Sequence, residues 1–216
     1  MWEQLVAGRG TADERTQIAT RFASRARANL RRVHAALLRA GYEFARPDAA
    51  LREADENAAE QLDDFAAQHG RMPTALRVWY EHIESVDFRQ SNTQALDDAS
   101  PMARLGADAF VVQALEHVVE DEHFDDAPPV FFPLGGSAST CDPIGLTIPS
   151  DAFDTIVVPD TSATFGDYVR SSLASGGLPR LGLAVHGASR LPSTVSPRHP
   201  RPAELLASLV EGLEAL

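Results

Sequence analysis

Residues 116–126, with the sequence EHVVEDEHFDD, form the densest group of side chains that could do chemistry. Imidazole and carboxylate groups both bind divalent cations, so a metal site is the first chemistry to consider. The run contains two histidines and six acids: His117 and His123, with Glu116, Glu120, Asp121, Glu122, Asp125 and Asp126.

The spacing in this run does not define a metal site. His117 and His123 are six positions apart, so they do not share a helical face as an i, i+4 pair does. The order of the acids also differs from that of a calcium-binding loop. We therefore expect no metal and interpret the run as a solvated acidic segment, whose functional interpretation is an electrostatic docking surface.

Candidate nucleophiles lie further along the chain. Cys141 and His186 could form a thiol dyad. A hydrolase triad could combine Ser137 or Ser139 with Asp142 and the same histidine. No recognisable nucleophile elbow surrounds any of these residues, and a chain of this size offers such trios by chance. The sequence therefore predicts no catalytic residue.

Residues 134–140, LGGSAST, form a loop rich in glycine and hydroxyl groups, as phosphate-binding loops are. The loop lacks the lysine and the glycine spacing of a P-loop, so we expect a hairpin connection here. We therefore expect no cofactor.

The charge is concentrated in the middle of the chain. The formal net charge is −12, and residues 49–129 carry five arginines against eighteen acids, a charge of −13. Residues 1–48 carry nine arginines against five acids, a charge of +4. A surplus of acids of this size argues against binding a phosphate backbone and favours a basic partner, although solubility explains most acidic surfaces. We therefore expect no nucleic-acid partner.

The composition is that of a soluble globular protein. A hydrophobic share of 44% and a charged share of 23% are ordinary, and no apolar run is long enough to span a membrane. The N-terminus has no basic leader followed by an apolar block, and the single Cys141 cannot form an internal disulfide. The expected location is the cytoplasm, without membrane contact.

The elements that position these residues are organised around residues 70–88. Pro73 suits the first turn of a helix, and apolar side chains then recur at helical spacing. They are Leu76, Trp79, Tyr80 and Ile83. Val86 and Phe88 next alternate around Asp87, which predicts a short strand with one buried side. We interpret this helix and strand as the folding nucleus.

Two further helices are predicted towards the ends of the chain. Thr11 and Glu14 have the spacing of a capping box, and apolar residues follow every three or four positions until Gly41 ends the helix. Its outer face carries Arg21, Arg25, Arg32 and Arg39. A final helix begins at Pro202 with leucines along one side, which we expect to dock on the same chain, with self-association as the alternative.

The middle and late chain predict a sheet, so the predicted fold class is α+β. The sheet is expected to be central, mostly antiparallel and packed with helices. Its predicted strands are residues 110–112, 130–132, 146–148 and 155–158. The predicted division is an N-terminal helical extension (1–48), an α+β domain (49–185), a linker (186–201) and a C-terminal helix (202–216).

Residues 70–88 also carry a pattern known from a protein family. The order G-x-M-P-x-x-L-R-x-x-Y, followed by a Val-Asp-Phe segment, resembles the N-terminal signature of the SUKH superfamily. It is formed here by Gly70, Met72, Pro73, Leu76, Arg77 and Tyr80. Downstream, an aromatic helix followed by Gly176, Gly177, Leu178 and Pro179 is similar to the closing segment of many bacterial relatives.

This superfamily includes fungal cell-wall signalling proteins and immunity proteins of bacterial toxin systems. The resemblance implies an α+β domain that binds a protein and does no chemistry of its own. In an immunity protein, an acidic surface meets a basic toxin, often a nuclease, and covers its active site. The acids expected to bind such a partner are Asp97, Asp98, Glu116, Glu120, Asp121, Glu122, Asp125 and Asp126.

Two other functions stay open from the sequence. An intracellular scaffold or regulator could use the same fold without a toxin, and a neighbouring toxin gene would argue against it. A metal-dependent hydrolase would need His117, His123 and nearby acids to converge on one pocket.

Overall fold

Helices and short strands alternate along the chain. The computed structural model describes residues 1–90, 109–119, 130–136, 143–157, 163–178 and 202–216. In these stretches, the helices are α1 (Trp2–Val6), α2 (Ala12–Arg39), α3 (Ala58–His69), α4 (Thr74–Tyr80), α5 (Leu115–Val119), α6 (Phe165–Ala174) and α7 (Pro202–Val210), with a 3-10 turn at Pro47–Ala49. The strands are β1 (Leu51–Glu53), β2 (Ile83–Asp87), β3 (Val111–Val112), β4 (Val130–Gly136) and β5 (Pro143–Ile148).

The strands form two small antiparallel sheets within the described stretches. The first has the order β1-β2-β3, with Val86 of β2 opposite Val112 of β3. The second pairs β4 with β5. A backbone hydrogen bond from Gln113 N to Leu134 O, 2.7 Å long, connects the end of β3 with β4. The fold class is therefore α+β, as predicted, with two small sheets where one central sheet was expected.

The predicted folding nucleus lies in the core. α4 ends at Tyr80 and Ile83 is already the first residue of β2, so the helix is shorter than the apolar spacing predicts. Trp79 is fully buried and packs edge-to-face on Phe110 and Phe165, with ring centroids 6.2 Å and 5.5 Å apart. These contacts connect α4 with the start of β3 and with α6.

β2 is buried on both of its faces. The alternation of Val86 and Phe88 predicts one buried side, but Asp87 between them is only 3% exposed. The prediction is wrong here because β2 is the middle strand of its sheet and two arginines cover its outer face. Arg46 and Arg89 each donate a hydrogen bond to Asp87 Oδ2, at 2.7 Å and 2.8 Å.

α2 begins and ends where the sequence predicts. Thr11 and Glu14 form the capping box, with Glu14 N donating to Thr11 Oγ1 at 3.2 Å. Gly41 follows the helix with a φ of 77°. The four predicted outer arginines are exposed, and the opposite face of α2 is part of the main core and packs against α4. The predicted domain boundaries stay a prediction, although this helix shares its core with the rest of the chain.

The C-terminal helix packs on the body of the same chain. Its side chains Leu205, Leu206 and Leu209 are buried, and α7 contacts α2. Asn29 of α2 binds the backbone after α7 in both directions. Its Nδ2 donates to Glu214 O and its Oδ1 accepts from Glu214 N, both at 2.8 Å. The expected docking is confirmed, so the leucine face is covered.

The predicted strand at residues 155–158 is wrong as far as the structure describes this segment. Ile156 forms an isolated bridge with Thr164, and it is 53% exposed. The backbone turns around Asp154, whose carboxylate accepts a hydrogen bond from Thr155 N at 2.9 Å. Local bonds between a side chain and the backbone compete with sheet pairing, which explains why a β-branched run does not form a strand here.

Trp2 fixes α1 against the rest of the molecule. Its ring lies 4.6 Å from the rings of Phe22 and Phe153, measured between centroids. Its Nε1 donates to Asp154 Oδ2 at 3.1 Å, and the Arg170 guanidinium lies 4.6 Å over the ring centroid. The contact between cation and ring places a polar group on the outer side of this half-buried tryptophan.

α6 is bounded by a capping box and by two glycines. Thr164 and Asp167 form the box, as Thr11 and Glu14 do in α2. Gly176 and Gly177 follow the helix with φ values of 62° and 75°, a region that other residues enter only with strain. The two glycines thus follow an aromatic helix, in the order that the sequence predicts.

Candidate protein-binding face

Of the eight acids predicted to bind a partner, the structure describes Glu116. This residue lies in the first turn of α5, and its side chain is 60% exposed. Its carboxylate is 3.3 Å from Arg52 Nη1 and 3.6 Å from His117 Nδ1. The other seven lie outside the described residues: Asp97, Asp98, Glu120, Asp121, Glu122, Asp125 and Asp126.

Most candidates for catalysis or metal binding also lie outside the described residues. They are His123, Ser137, Ser139, Cys141, Asp142 and His186. His117 is described, and its side chain is 45% exposed. Among the described residues, no group of three or more His, Cys, Asp or Glu side chains is arranged to hold a metal ion.

Exposed acids gather where β1 leads into α3. Asp55 and Glu56 precede the helix and Glu60 lies in its first turn, with all three exposed. Asp55 Oδ1 accepts a hydrogen bond from Asn57 N at 2.8 Å, which fixes the chain as it enters the helix. Negative charge is favourable at the N-terminal end of a helix, so these acids are compatible with the start of α3.

Arg52 pairs with two further acids. The pairing of β1 with β2 places Arg52 opposite Ser85, and its guanidinium lies 2.7 Å from Glu84 Oε1 and 3.3 Å from Glu116 Oε1. Arg52, Asp55, Glu84 and Glu116 line a shallow cavity of about 120 Å³. We define the acidic face as the carboxylates of Asp55, Glu56, Glu60, Glu84 and Glu116.

The acidic face carries more negative charge than Arg52 balances. Partial burial raises the pKa of the Glu84 carboxyl, and Glu116 and Asp55 raise this pKa further. Arg52 and His117 lower it, but the pKa remains above its ordinary value. Repulsion between these carboxylates would be relieved by a cationic group from a binding partner.

Neighbouring acids are paired with other arginines. Glu53 accepts two hydrogen bonds from Arg31, at 2.5 Å and 2.6 Å. Asp63 Oδ1 lies 2.8 Å from Arg77 Nη2, and Arg77 also pairs with Glu81. Exposed pairs of this kind add little stability, but they neutralise charge locally. The acidic face differs in that it combines two carboxylates on Arg52 with three further exposed acids at the start of α3.

The sequence identifies only Glu116 of this face. The other four acids are included in the charge count of residues 49–129, but nothing in their spacing indicates that they meet. Positions 52, 84 and 116 come together because β1 pairs with β2 and because α5 begins beside this pair. One feature of the sequence could have indicated this face: the density of acids at positions 53–64, directly before the predicted folding nucleus at residues 70–88.

No helix in the described part of the chain has the length and the apolar character needed to cross a membrane. No family model, no curated protein and no solved structure matches the chain. Its function therefore has to be inferred from the charge and geometry of its surface.

Proposed function

We propose that this chain is a non-enzymatic protein-binding domain that acts as an immunity protein and neutralises a basic toxin through the acidic face. The observation that supports this best is that Glu84 and Glu116 share Arg52 beside a cavity that Asp55 also lines, with two further exposed acids at the start of α3. The resemblance to the SUKH superfamily favours the same function, and the α+β fold agrees with what that resemblance implies.

The mechanism is electrostatic attraction followed by steric cover. A cluster of like charges raises the rate at which an oppositely charged partner arrives, and salt weakens this effect beyond a Debye length of about 8 Å. Once docked, cations of the toxin replace the repulsion around Glu84 with ion pairs, and the bulk of the domain blocks access to the toxin's active site. No covalent step is needed.

Neutralising the acidic face tests this proposal. The partner is first isolated from a lysate of the native host with the full chain as bait and identified by mass spectrometry. Association is then followed by stopped flow for the wild type and for a triple variant, Asp55→Asn, Glu56→Gln and Glu60→Gln. We expect the association rate constant of the triple variant to fall about tenfold at low salt and the difference to narrow at high salt.

A matched control removes the same amount of charge elsewhere. Glu3→Gln, Glu43→Gln and Glu211→Gln change three exposed carboxylates that lie outside the acidic face. This control should associate almost as fast as the wild type. Equal rates for the two triple variants, or a partner that is itself acidic, would contradict the proposal.

A further inference from the structure

A second cavity lies on the other side of Arg52, and its charge is opposite to that of the acidic face. It has a volume of about 210 Å³ and is formed by the outer face of the first sheet, the 3-10 turn and the start of α5. Among its described lining residues, Arg46, Arg52 and Arg89 stand against the single carboxylate of Asp87. Arg52 is also paired with Glu84 and Glu116, so the positive charge in excess here is that of Arg46 and Arg89 beside one carboxylate, in a chain whose net charge is −12.

Asp87 holds two of these arginines in place. Arg46 donates to Asp87 Oδ2 from Nε at 3.1 Å and from Nη2 at 2.7 Å. Arg89 donates from Nε to Oδ1 and from Nη2 to Oδ2, both at 2.8 Å. Each guanidinium has five N–H donors, so the Nη1 groups of both remain without a partner among the described residues. One carboxylate thus orients two cations and leaves donors for another anion.

Ser85 adds a neutral polar group to the same cavity. It lines the cavity and is only 6% exposed. Its hydroxyl can donate a hydrogen bond to an oxygen of a bound anion.

We propose that this cavity binds a small phosphate-type oxyanion. Guanidinium groups form paired, charge-assisted hydrogen bonds with phosphate, and a hydroxyl and the amide of Gln113 supply neutral donors at the same cavity. The volume accommodates one such anion. The site adjoins the acidic face, since Arg52 lines both cavities and pairs with Glu84 and Glu116. Phosphate binding is measured without a protein partner, so its outcome is separate from that of the toxin-binding test.

The test measures binding of inorganic phosphate to the full chain by calorimetry and by the midpoint of thermal unfolding. Phosphate stabilises many proteins at high concentration by exclusion from their surface, so the titration stays in the low millimolar range, with sodium chloride at equal ionic strength as the reference. A ligand that binds only the folded chain stabilises it by RT ln(1 + c/Kd), where c is the ligand concentration, so the unfolding midpoint rises with phosphate concentration. We expect saturable binding of phosphate and no effect of chloride.

Four variants locate the site. Arg52→Gln should weaken phosphate binding about tenfold, because it removes a charge-assisted donor. Ser85→Ala should weaken it about threefold, and this change leaves no described bond broken. Glu116→Gln should strengthen binding, because it removes a carboxylate 3.3 Å from Arg52 Nη1. Arg71→Gln is the matched control, since this 80% exposed side chain lies outside the cavity.

Each result decides the proposal. Saturable phosphate binding that Arg52→Gln and Ser85→Ala weaken, and that Arg71→Gln leaves unchanged, supports it. O-phosphoserine serves as a second ligand, and tighter binding of either compound identifies whether the anion is free or carried on a side chain. Absence of binding, equal affinity in all variants, or acetate binding as tight as that of phosphate would overturn it. If Arg52→Gln fails to fold, the proposal is tested by phosphate binding to Ser85→Ala, which should be weaker, and to Glu116→Gln, which should be tighter.

Discussion

Asp87 shows how one buried polar side chain organises its surroundings. Burial favours its neutral form, but the hydrogen bonds from Arg89 and Arg46 outweigh this cost and lower the pKa of the Asp87 carboxyl. The same bonds raise the pKa of Arg89. A carboxylate that accepts several charge-assisted bonds is stabilised as the ion, and its loss leaves two cations without a partner.

Replacing this carboxylate should destabilise the fold. We expect Asp87→Asn to lower the free energy of unfolding by about 3 kcal/mol at pH 7, measured by urea denaturation. Asp48→Asn is the control, because Asp48 is exposed, and its effect should stay within about 0.5 kcal/mol.

The effect of this substitution should depend on pH. Because the folded pKa lies below the unfolded value of about 3.9, the carboxylate contributes stability above that value and loses it as the pH falls through the folded pKa. The difference between wild type and Asp87→Asn should therefore shrink at pH 3 and below. A difference that stays constant from pH 7 to pH 3 would show that Asp87 acts through packing alone.

Among the elements, the ends of helices depend on single residues. Gly41 and Gly177 both follow a helix and have nearly equal φ values, 77° and 75°. Their surroundings differ, because a Cβ at Gly177 would lie 2.5 Å from Phe88 Cδ2, whereas a Cβ at Gly41 would meet nothing within 4 Å. The two positions therefore separate backbone strain from steric overlap.

Alanine at these two glycines gives a matched comparison. We expect Gly41→Ala to lower the free energy of unfolding by about 1 kcal/mol, because alanine is strained in this backbone conformation. Gly177→Ala adds overpacking against the Phe88 ring and should cost about 2 kcal/mol more. Chemical denaturation of both variants measures the difference. Equal losses of unfolding free energy in the two variants would mean that the Phe88 ring moves aside without a loss of stability.

The sequence predicts elements well where the signal is local. Capping residues such as Thr11 and terminal glycines such as Gly177 act within one turn, so their spacing is sufficient. The missing strand around Ile156 follows from a local bond that residue spacing does not reveal. The burial of Asp87, by contrast, depends on Arg46, which comes from a distant part of the chain. The acidic face is of the second kind, since its charge is visible in the sequence and its assembly is not.

For the whole molecule, the C-terminal segment is part of the core. Besides the buried leucines of α7, Arg25 Nη1 donates to Ala215 O at 3.0 Å and Arg32 Nη1 to Gly212 O at 2.8 Å. Two of the arginines on the outer face of α2 therefore hold this segment in place. A helix docked by both apolar and polar contacts behaves as part of one cooperative unit.

Removing residues 202–216 should therefore affect stability and solubility together. Each buried leucine contributes roughly 2 kcal/mol, so we expect the truncated chain to lose at least about 4 kcal/mol of unfolding free energy. It should also associate at high concentration, because an apolar face of α2 is uncovered. Denaturation and analytical ultracentrifugation measure the two effects.

A point variant provides the comparison for this truncation. Leu209→Ala should lower the free energy of unfolding by about 3 kcal/mol, because Leu209 is only 1% exposed. We do not expect this variant to self-associate. Val6→Ala, at a 40% exposed position, should change stability by less than about 0.5 kcal/mol. A truncated chain as stable as the wild type would show that α7 is a dispensable attachment.

The two tryptophans lie in different surroundings, and this separates their optical signals. Trp79 is enclosed in the main core among other aromatic rings. Trp2 is half-buried between the carboxylate of Asp154 and the guanidinium of Arg170. Fluorescence from Trp79 should be emitted at shorter wavelength than that from Trp2, whose neighbours are charged. The chain thus contains two intrinsic reporters, one for detachment of its first helix and one for melting of its interior.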